Sequence, residues 1–215
     1  MLNCNKRYCY QWAKRVFDII FSLILLILFI PLLLFLSIAI KLNSHGSILY
    51  RGSRVGLHGK QFKILKFRTM VENAESIGGP STALNDPRLT KIGRFLRKYK
   101  LDELPQLVNI LIGDMSFVGP RPQVQKYTDL YTSEEQIILS VKPGLTDYAS
   151  LRFINLDQLL GDDKVDEKYM REVEPEKNKL RIEYVKKRAF CSDLKIIFLT
   201  ILMTLKIKQK WNTQD

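Results

Sequence analysis

The sequence predicts a mostly helical α+β fold with a membrane-associated helical segment, a small β-hairpin, and amphipathic interfacial helices around a compact cytosolic domain. Three observations predict it. The run Ile19–Ile40 contains no charged residue, two short β-prone runs flank a turn after it, and much of the remainder has helical spacing. The chain has 215 residues and a formal net charge of +12, which favours an anionic partner: a membrane surface, a phosphate-rich substrate or nucleic acid.

The first element is the apolar run Ile19–Ile40, which is long enough to count as a transmembrane candidate. Pro31 lies in its middle and cannot donate a hydrogen bond to the carbonyl of Ile27, so a kink is expected. Basic residues flank both ends, which places both ends on the cytoplasmic side. These residues are Lys6, Arg7, Lys14 and Arg15 before the run and Lys41, Arg51, Arg54, Lys60 and Lys63 after it. We therefore predict a re-entrant helix-break-helix within residues 1–41, the alternative being a Pro-kinked spanning helix.

The body of the chain, residues 42–192, begins with the predicted hairpin. The segment Ile48–Met70 has two extended runs around the turn "LHGK". A helix is predicted for Lys91–Lys98 and a second for Asp102–Ile112, with Gly113 as its C-cap. Further along, the charge-mixed region Asp157–Lys187 has helical spacing and is predicted to be a solvated surface.

The last element, in residues 193–215, is a second apolar run, "DLKIIFLTILMTLKIKQKW". Its uncharged part is too short to span a bilayer, and Lys195, Lys206, Lys208 and Lys210 lie at its ends with Trp211. This pattern predicts an interfacial amphipathic helix that packs with the body of the chain. The alternative is a buried core helix.

The stretch "LDELPQL" carries two adjacent carboxylates, Asp102 and Glu103, directly after the basic run "RFLRKYK". Asp102 is predicted to be the N-cap of the second helix, with Pro105 in the first turn, and a carboxylate there is stabilised as an anion. Such a carboxylate can serve as a nucleophile or as a ligand of Mg²⁺, which one or two carboxylates and phosphate oxygens commonly hold together. Taken alone, the pair is more often a helix cap with surface charge.

Arg121 lies between two prolines in "GPRP", an arrangement that holds a guanidinium in a fixed direction toward a phosphate. The alternative is an ordinary proline-rich turn. The three cysteines, Cys4, Cys9 and Cys191, form no C-x-x-C pair and indicate reduced thiols.

Several motifs, in order, resemble the bacterial sugar transferases, specifically the small monotopic phosphoglycosyl transferases that start glycan assembly on a polyprenyl phosphate. The resemblance covers nearly all of residues 14–208. The motifs are "KRVFDII", the Pro-broken apolar run, "RVGLHGKQFKILKFRTM", "LTKIGRFLRKYKLDELPQLVNILIGDMSFVGPRP", "VKPGLT" and "DLKIIFLT".

The resemblance implies transfer of a sugar-1-phosphate from a UDP-sugar to undecaprenyl phosphate with release of UMP. It implies that Asp102 is the nucleophile of an aspartyl-phosphosugar intermediate, that Glu103 is its dyad partner, and that the two carboxylates bind Mg²⁺. Around the phosphates and the nucleotide it implies Lys66 and Arg68 in "LKFRTM", Arg97 in "FLRKYK", Arg121 in "GPRP", and Asp193 in "SDLK".

The resemblance also implies a place in the bacterial inner membrane, with the catalytic domain on the cytoplasmic face. The reaction would be the first membrane step of capsule, O-antigen, exopolysaccharide or glycoprotein glycan assembly. Inner-membrane lipid, a homodimer and downstream glycosyltransferases are the further partners that it allows. No nucleic acid is expected, because no helix-turn-helix, zinc-knuckle or aromatic RNA-binding signature is present.

Two departures from the family pattern bear on these expectations. Ile30 stands where members often have Ser before the break proline, so Ser22 and Ser37 are the nearest hydroxyls for the carbonyl that Pro31 frees. The segment "DYASLRFINLDQLLG" replaces a common Gly-Trp-Ala-Gln-Val-Asn-Gly run, so the identity of the sugar does not carry over.

The alternative function is a non-catalytic, membrane-tethered basic module that binds anionic lipid or nucleic acid. Its binding would weaken steeply with salt, whereas dependence on Mg²⁺ would indicate the enzyme.

Overall fold

The computed structural model describes residues 4–74, 86–154, 156–161 and 165–204. Its helices and strands, in chain order, are α1 (Cys4–Asn43), β1 (Leu49–Val55), β2 (Gln61–Phe67), α2 (Lys91–Lys98), α3 (Gln106–Ile112), β3 (Ser116–Val118), α4 (Gln125–Thr128), β4 (Gly144–Thr146), α5 (Tyr148–Arg152), α6 (Leu156–Leu160), α7 (Val165–Lys168), α8 (Glu174–Lys187) and α9 (Phe190–Thr204). Short 3₁₀ turns and a π-helical turn at Tyr169–Val173 connect some of them. The fold is therefore mostly helical with two small sheets, which confirms the predicted class.

Helix α1 is continuous from Cys4 to Asn43 and passes through Pro31. The predicted break is thus not an interruption between two helices, because a proline inside a helix removes one hydrogen bond without ending it when both flanking turns are packed. Ser22 and Ser37 donate to the carbonyls of Ile19 (3.1 Å) and Leu33 (2.7 Å), so neither takes the carbonyl of Ile27. The re-entrant topology itself stays a prediction.

Both halves of α1 pack against the rest of the chain. In the first half, Leu25 and Phe29 pack on the core around Ile110 and Met115. In the second half, Leu36 and Ile40 are buried in a separate cluster with Phe67 and Leu96. Among the described residues, α1 supplies the single segment, Tyr8–Asn43, that is long and apolar enough to cross a membrane.

The side of α1 that faces away from the body is apolar and exposed. It includes Ile20, Leu23, Ile24, Ile27, Leu28, Ile30, Leu34, Phe35 and Ile38. A contiguous exposed apolar surface of this kind is typical of contact with lipid or with another apolar partner.

The predicted hairpin is confirmed. Strand β1 pairs antiparallel with β2, from Leu49 opposite Phe67 to Val55 opposite Gln61. The turn contains His58 and Gly59 with positive φ, the conformation that a tight reversal requires.

Helix α2 has the predicted bounds, and the Thr90 hydroxyl accepts a hydrogen bond from the N–H of Gly93 at its start. Helix α3 ends at Gly113 with φ of 100°, which confirms the predicted C-cap. The start of α3 was predicted wrongly. Asp102 does not cap it, because Leu101–Glu103 form a separate 3₁₀ turn and Pro105 occupies the N-cap position.

A second sheet, not predicted from the sequence, pairs β3 with β4 in parallel. Directly after β3, the backbone of Gly119 lies so close to Gly144 that a Cβ on Gly144 would overlap it, and a Cβ on Gly119 would overlap the carbonyl oxygen of Lys142. The N–H of Gly119 donates to Thr146 (3.0 Å), and that of Gly144 donates to the carbonyl of Pro120 (3.0 Å). The strand pair therefore fixes the backbone that leads into Arg121.

The charge-mixed region was predicted to be solvated, and for α8 this is wrong. Glu174, Lys177 and Arg181 are each less than a tenth exposed. Arg181 donates to Glu174 (2.7 Å), and the Tyr169 hydroxyl donates to the other carboxylate oxygen of Glu174 (2.6 Å). Buried charges with partners one or two turns away have the same sequence spacing as a solvated surface.

Helix α9 joins the body to α1 through Asp193, which is 4% exposed. Its carboxylate accepts hydrogen bonds from Tyr10 (2.8 Å), Lys14 and Tyr184 (2.9 Å). One side of α9 places Ile196 in the core, while Leu194, Phe198 and Ile201 are exposed on the other. The predicted lysines Lys206, Lys208 and Lys210 and Trp211 lie outside the described residues, and the interfacial position of the helix stays a prediction.

Candidate active site

The carboxylate pair Asp102 and Glu103 lies in the 3₁₀ turn between α2 and α3. Lys100, just before the pair, has a left-handed backbone with φ of 56°, which reverses the chain after α2. The pair faces a large open cleft of about 2330 Å³. Lys66, Arg68, Arg97 and Arg121 also line this cleft. A site that combines two carboxylates with four cations can bind a substrate with several phosphate charges.

Glu103 is held by two cations from other elements. Lys66 on β2 donates to its Oε1 (3.0 Å), and Arg121 contacts both oxygens, with a distance of 3.1 Å to Oε2. Burial opposes ionisation of Glu103, but Arg121 and Lys66 outweigh it and hold the pKa of this carboxyl well below its ordinary value. Glu103 is therefore an anion whose oxygens are already engaged.

Asp102 has the opposite environment. It is 7% exposed, and its Oδ1 has no hydrogen-bond partner among the described residues. Burial and the adjacent charge of Glu103 raise the pKa of Asp102, against the smaller opposing effects of Lys66 and Arg97. The helix-capped, stabilised anion predicted from the sequence is thus not found, because α3 begins beyond the pair. A buried oxygen without a partner marks a position where a ligand can bind.

Arg121 is fixed by its backbone as well as by Glu103. Its N–H donates to Asp147 (3.2 Å), and its guanidinium also donates to the carbonyl of Leu145 (3.3 Å). Asp147 in turn caps α5 by accepting from the N–H of Ser150 (2.6 Å). The two prolines predicted a fixed orientation, but the contribution of Asp147 was missed, since its partner lies far away in the sequence.

The remaining predicted cations occupy different parts of the cleft. Lys66 is partly buried, and burial lowers its pKa although Glu103 acts in the opposite direction. Arg68 donates to the carbonyl oxygen and hydroxyl of Ser44 (2.7 and 2.8 Å), so it also ties the end of α1 to the site. Arg97 on α2 lies close enough to Asp102 to oppose, in part, the rise in the pKa of that carboxyl. The functional roles of these cations stay predictions.

Asp193 does not belong with this group. It does not line the cleft, because its carboxylate is buried among Tyr10, Lys14 and Tyr184. In the structure the motif "SDLK" supplies a contact between α1 and α9, and the predicted role of Asp193 at the phosphate site stays a prediction. Lys177, in contrast, lines the cleft and was missed by sequence reasoning, because charge-mixed helical spacing predicted solvent.

The described residues contain no group of three or more His, Cys, Asp or Glu side chains that could hold a metal ion. A divalent cation would therefore need substrate oxygens in addition to the pair. The unpartnered Oδ1 of Asp102 fits that arrangement, because Mg²⁺ is commonly held by one or two carboxylates together with phosphate oxygens.

Comparison with known proteins places these residues in a wider context. A family model described as bacterial sugar transferase matches residues 9–207. The UDP-glucose:undecaprenyl-phosphate glucose-1-phosphate transferase of Escherichia coli (strain K12) is 38% identical over 193 residues, covering 87% of this chain and 39% of that protein. Two relatives align over most of their own length. The exopolysaccharide production protein ExoY of Rhizobium meliloti is 37% identical over 204 residues (88% of this chain, 84% of ExoY), and the uncharacterized sugar transferase EpsL of Bacillus subtilis is 38% identical over 192 residues (89% and 87%).

Proposed function

Because the chain belongs to the bacterial sugar transferase family, we propose that it transfers a sugar-1-phosphate from a UDP-sugar to undecaprenyl phosphate and releases UMP. Several relatives are named as transferases of this kind. The observation that carries the proposal is the carboxylate pair, in which Glu103 is saturated by Lys66 and Arg121 while an oxygen of Asp102 is buried without a partner in the described parts of the chain. The alternative of a non-catalytic binding module is not favoured, since the family and its named relatives are transferases.

The proposed chemistry has two displacements at one phosphorus atom. A carboxylate oxygen of Asp102 attacks the β-phosphorus of the UDP-sugar, and the bond from that phosphorus to the bridging oxygen breaks, with the electron pair leaving on UMP. A phosphate oxygen of undecaprenyl phosphate then attacks the same phosphorus and releases Asp102 as a carboxylate. Lys66 and Arg121, oriented by Glu103, face the phosphoryl oxygens on which negative charge increases.

We further propose that the pair binds Mg²⁺ together with the diphosphate of the donor. When bound, the cation would neutralise phosphate charge and favour departure of UMP. Asp102 is the main protein ligand in this proposal, because the oxygens of Glu103 are engaged by Lys66 and Arg121.

The proposed location is the cytoplasmic face of the bacterial inner membrane, with α1 re-entering the bilayer. The packing of α1 supports this topology, because Leu25 and Phe29 in one half and Leu36 and Ile40 in the other all contact the body. In a spanning helix, contacts this far apart would draw the charged body into a hydrocarbon layer about 30 Å thick. A homodimer and contacts with downstream glycosyltransferases stay predictions.

Cysteine labelling tests the topology. In a chain whose native cysteines are replaced, Asn3→Cys and Ser44→Cys should both react with a membrane-impermeant reagent only from the cytoplasmic side. Reaction of Asn3→Cys from the outside alone would contradict the re-entrant arrangement. Pro31→Ala should move part of the population toward the spanning arrangement, since a proline-free helix bends less.

The activity is tested with purified protein, Mg²⁺ and a panel of UDP-sugars, with undecaprenyl phosphate present or absent. With the lipid, at least one UDP-sugar should yield UMP and a lipid-linked phosphosugar. Without the lipid, about one equivalent of UMP should appear and the protein should gain the mass of one phosphosugar. If UMP appears only with the lipid and no adduct forms, direct attack by the lipid phosphate replaces the covalent route. If no UDP-sugar yields UMP under either condition, the proposed activity is wrong.

A further inference from the structure

The cleft has a cation that the proposed chemistry does not use. Lys177 on α8 is 7% exposed, and it lines the same cleft as Asp102. Its Nζ lies 4.9 Å from the ring centroid of Tyr169 and 5.5 Å from that of Phe153. Within the described part of the chain, the ammonium forms no hydrogen bond or ion pair. The two aromatic rings contact it, and Glu174 and Asp147 favour its charge from beyond ion-pair distance.

The nearby carboxylate does not neutralise this cation. Glu174, one turn earlier on α8, already accepts hydrogen bonds from Arg181 and from Tyr169. Burial, with the nearby charges of Arg181 and Arg121, lowers the pKa of Lys177 to about 8. A charged ammonium here therefore destabilises the folded protein when no ligand is present, because cation–π contact replaces only part of its lost hydration.

The three side chains come from elements that converge on the cleft near Arg121. Phe153 follows α5, and Tyr169 begins the π-helical turn Tyr169–Val173, an irregularity that is frequent at functional sites. Neither α1 nor α9 contributes to this wall. Those two helices supply apolar residues elsewhere in the cleft lining, including Leu25, Phe29 and Ile201, which suit a lipid chain. The region around Lys177 differs from them because it presents a buried cation to the cleft.

We propose that Lys177, held between Phe153 and Tyr169, is a specificity-determining residue that binds an oxygen atom of the UDP-sugar donor. The inference rests on the proposed function, since it assigns a residue to the donor of that reaction. The oxygen that Lys177 binds is a hydrogen-bond acceptor or an anion. Either the nucleotide half or the sugar half of the donor can supply it.

The test compares Lys177→Met, which keeps an apolar stem and removes the charge, with Lys179→Met on the same helix. Lys179 is the matched control because its side chain is 73% exposed and forms a surface ion pair with Glu176. In Lys177→Met, KM for the UDP-sugar should rise about tenfold or more, which corresponds to about 1.4 kcal/mol, while KM for undecaprenyl phosphate stays unchanged. The melting temperature should rise by a few degrees, because an unpaired buried charge is removed.

Two further measurements, inhibition by UMP and the ranking of UDP-sugars, identify the half of the donor that Lys177 contacts. If inhibition by UMP weakens together with donor affinity, the contact is to the nucleotide. If inhibition by UMP is unchanged but the ranking of UDP-sugars changes, the contact is to the sugar. Lys177→Arg keeps the charge and should recover part of the donor affinity, which a purely space-filling role would not require.

Two results would overturn the inference. One is an unchanged KM for every UDP-sugar together with unchanged UMP inhibition in Lys177→Met. The other is a lower melting temperature with loss of kcat alone, which would make Lys177 a structural residue. Failure of the proposed function is separate: if the wild-type protein turns over no UDP-sugar, calorimetric binding of UDP-sugars to wild type, Lys177→Met and Lys179→Met still decides whether Lys177 contacts the donor.

Discussion

Two buried carboxylate clusters of this protein contain similar residue types and differ in how completely they are satisfied. In the Asp193 cluster, both carboxylate oxygens accept hydrogen bonds, from Tyr10 and Lys14 on α1 and from Tyr184 on α8. In the Asp102–Glu103 cluster, Glu103 is equally satisfied by Lys66 and Arg121. Its neighbour Asp102 has a buried oxygen with no partner among the described residues.

The difference predicts that the Asp193 cluster contributes to stability and that the Asp102–Glu103 cluster binds a ligand. A fully hydrogen-bonded carboxylate that joins two helices gains nothing from a further partner. A buried carboxylate oxygen without a partner destabilises the folded protein until something binds it. Changes in the Asp193 cluster should therefore act on stability, and changes at Asp102 should act on activity.

The largest expected effect is that of Asp102→Asn. It should abolish both the stoichiometric release of UMP and the phosphosugar adduct, since the amide cannot form the acyl-phosphate. The melting temperature should stay the same or rise, because the raised pKa of Asp102 shows that its charged form is unfavourable in the free protein. Mass spectrometry and thermal unfolding measure the two results. Asp129→Asn, at an exposed position, is the control; adduct formation by Asp102→Asn would remove Asp102 from the nucleophile's role.

The second largest effect on activity is expected for Glu103→Gln. We expect the adduct to form about 10²- to 10⁴-fold more slowly, because the variant loses the anion that orients Lys66 and Arg121 but keeps the nucleophile. Rapid-quench measurement of UMP release checks this. Complete loss of adduct in Glu103→Gln with residual adduct in Asp102→Asn would exchange the two roles.

Asp193→Asn tests the other cluster. Lys14 would lose its ion-pair partner inside the contact between α1 and α9, which should destabilise the fold by about 3 kcal/mol, the lower end for a broken buried pair. Thermal unfolding in lipid nanodiscs measures the loss, again with Asp129→Asn as the control. The KM values of the surviving folded protein should be close to wild type. A large increase in donor KM without destabilisation would instead indicate that Asp193 acts at the substrate site.

Arg121→Lys should have a smaller effect, about tenfold in kcat/KM. Lysine keeps the charge but loses the planar group that contacts both oxygens of Glu103. The matched control is Arg171→Lys, because the side chain of Arg171 is 73% exposed. Steady-state kinetics distinguish the two variants, and equal, small effects in both would leave Arg121 as a turn residue.

The smallest expected effect is the pH dependence that Lys177 produces. Burial lowers the pKa of Lys177 from its ordinary value of 10.5 to about 8, so titration of Lys177 should leave donor kcat/KM constant below pH 8 and should lower it above pH 8. Lys177→Met should lack that fall.

Stability has its own pH dependence. Between about pH 8 and 10.5 the unfolded chain binds the additional proton, so the free energy of unfolding of the wild type should increase relative to that of Lys177→Met as the pH rises. The charged or titratable groups that act on Lys177 include Tyr169, Glu174, Arg181, Arg121 and Asp147.

Local sequence patterns predicted the parts of the fold that local interactions determine. Alternation and turn residues predicted the hairpin of β1 and β2, and helical spacing predicted α2 with the bounds that the structure has. The same reasoning failed at Asp102, because Pro105 takes the N-cap position and the helix begins after it. It could not predict the parallel pairing of β3 with β4, which depends on the close approach of Gly119 and Gly144.

The candidate site shows the same division. The pair Asp102–Glu103 and the presence of Arg121 were apparent from motifs, but their electrostatics depend on partners distant in the sequence. Lys66 contacts Glu103 across 37 positions, so neither the saturation of Glu103 nor the raised pKa of Asp102 follows from local pattern. Lys177 was missed for a related reason, since helical spacing of charges does not distinguish a solvated face from one that other helices cover.

The contact between Lys14 and Asp193 also has a consequence for biosynthesis, because it joins residues 179 positions apart. A chain synthesised from its N-terminus exposes the apolar segment of α1 long before α9 exists. During that interval Lys14 lacks its partner, and nearly the entire chain must be synthesised before α1 and α9 can pair. The apolar segment is therefore available to lipid earlier than to the protein's own core, and closure of α1 onto the body is a late step of biosynthesis.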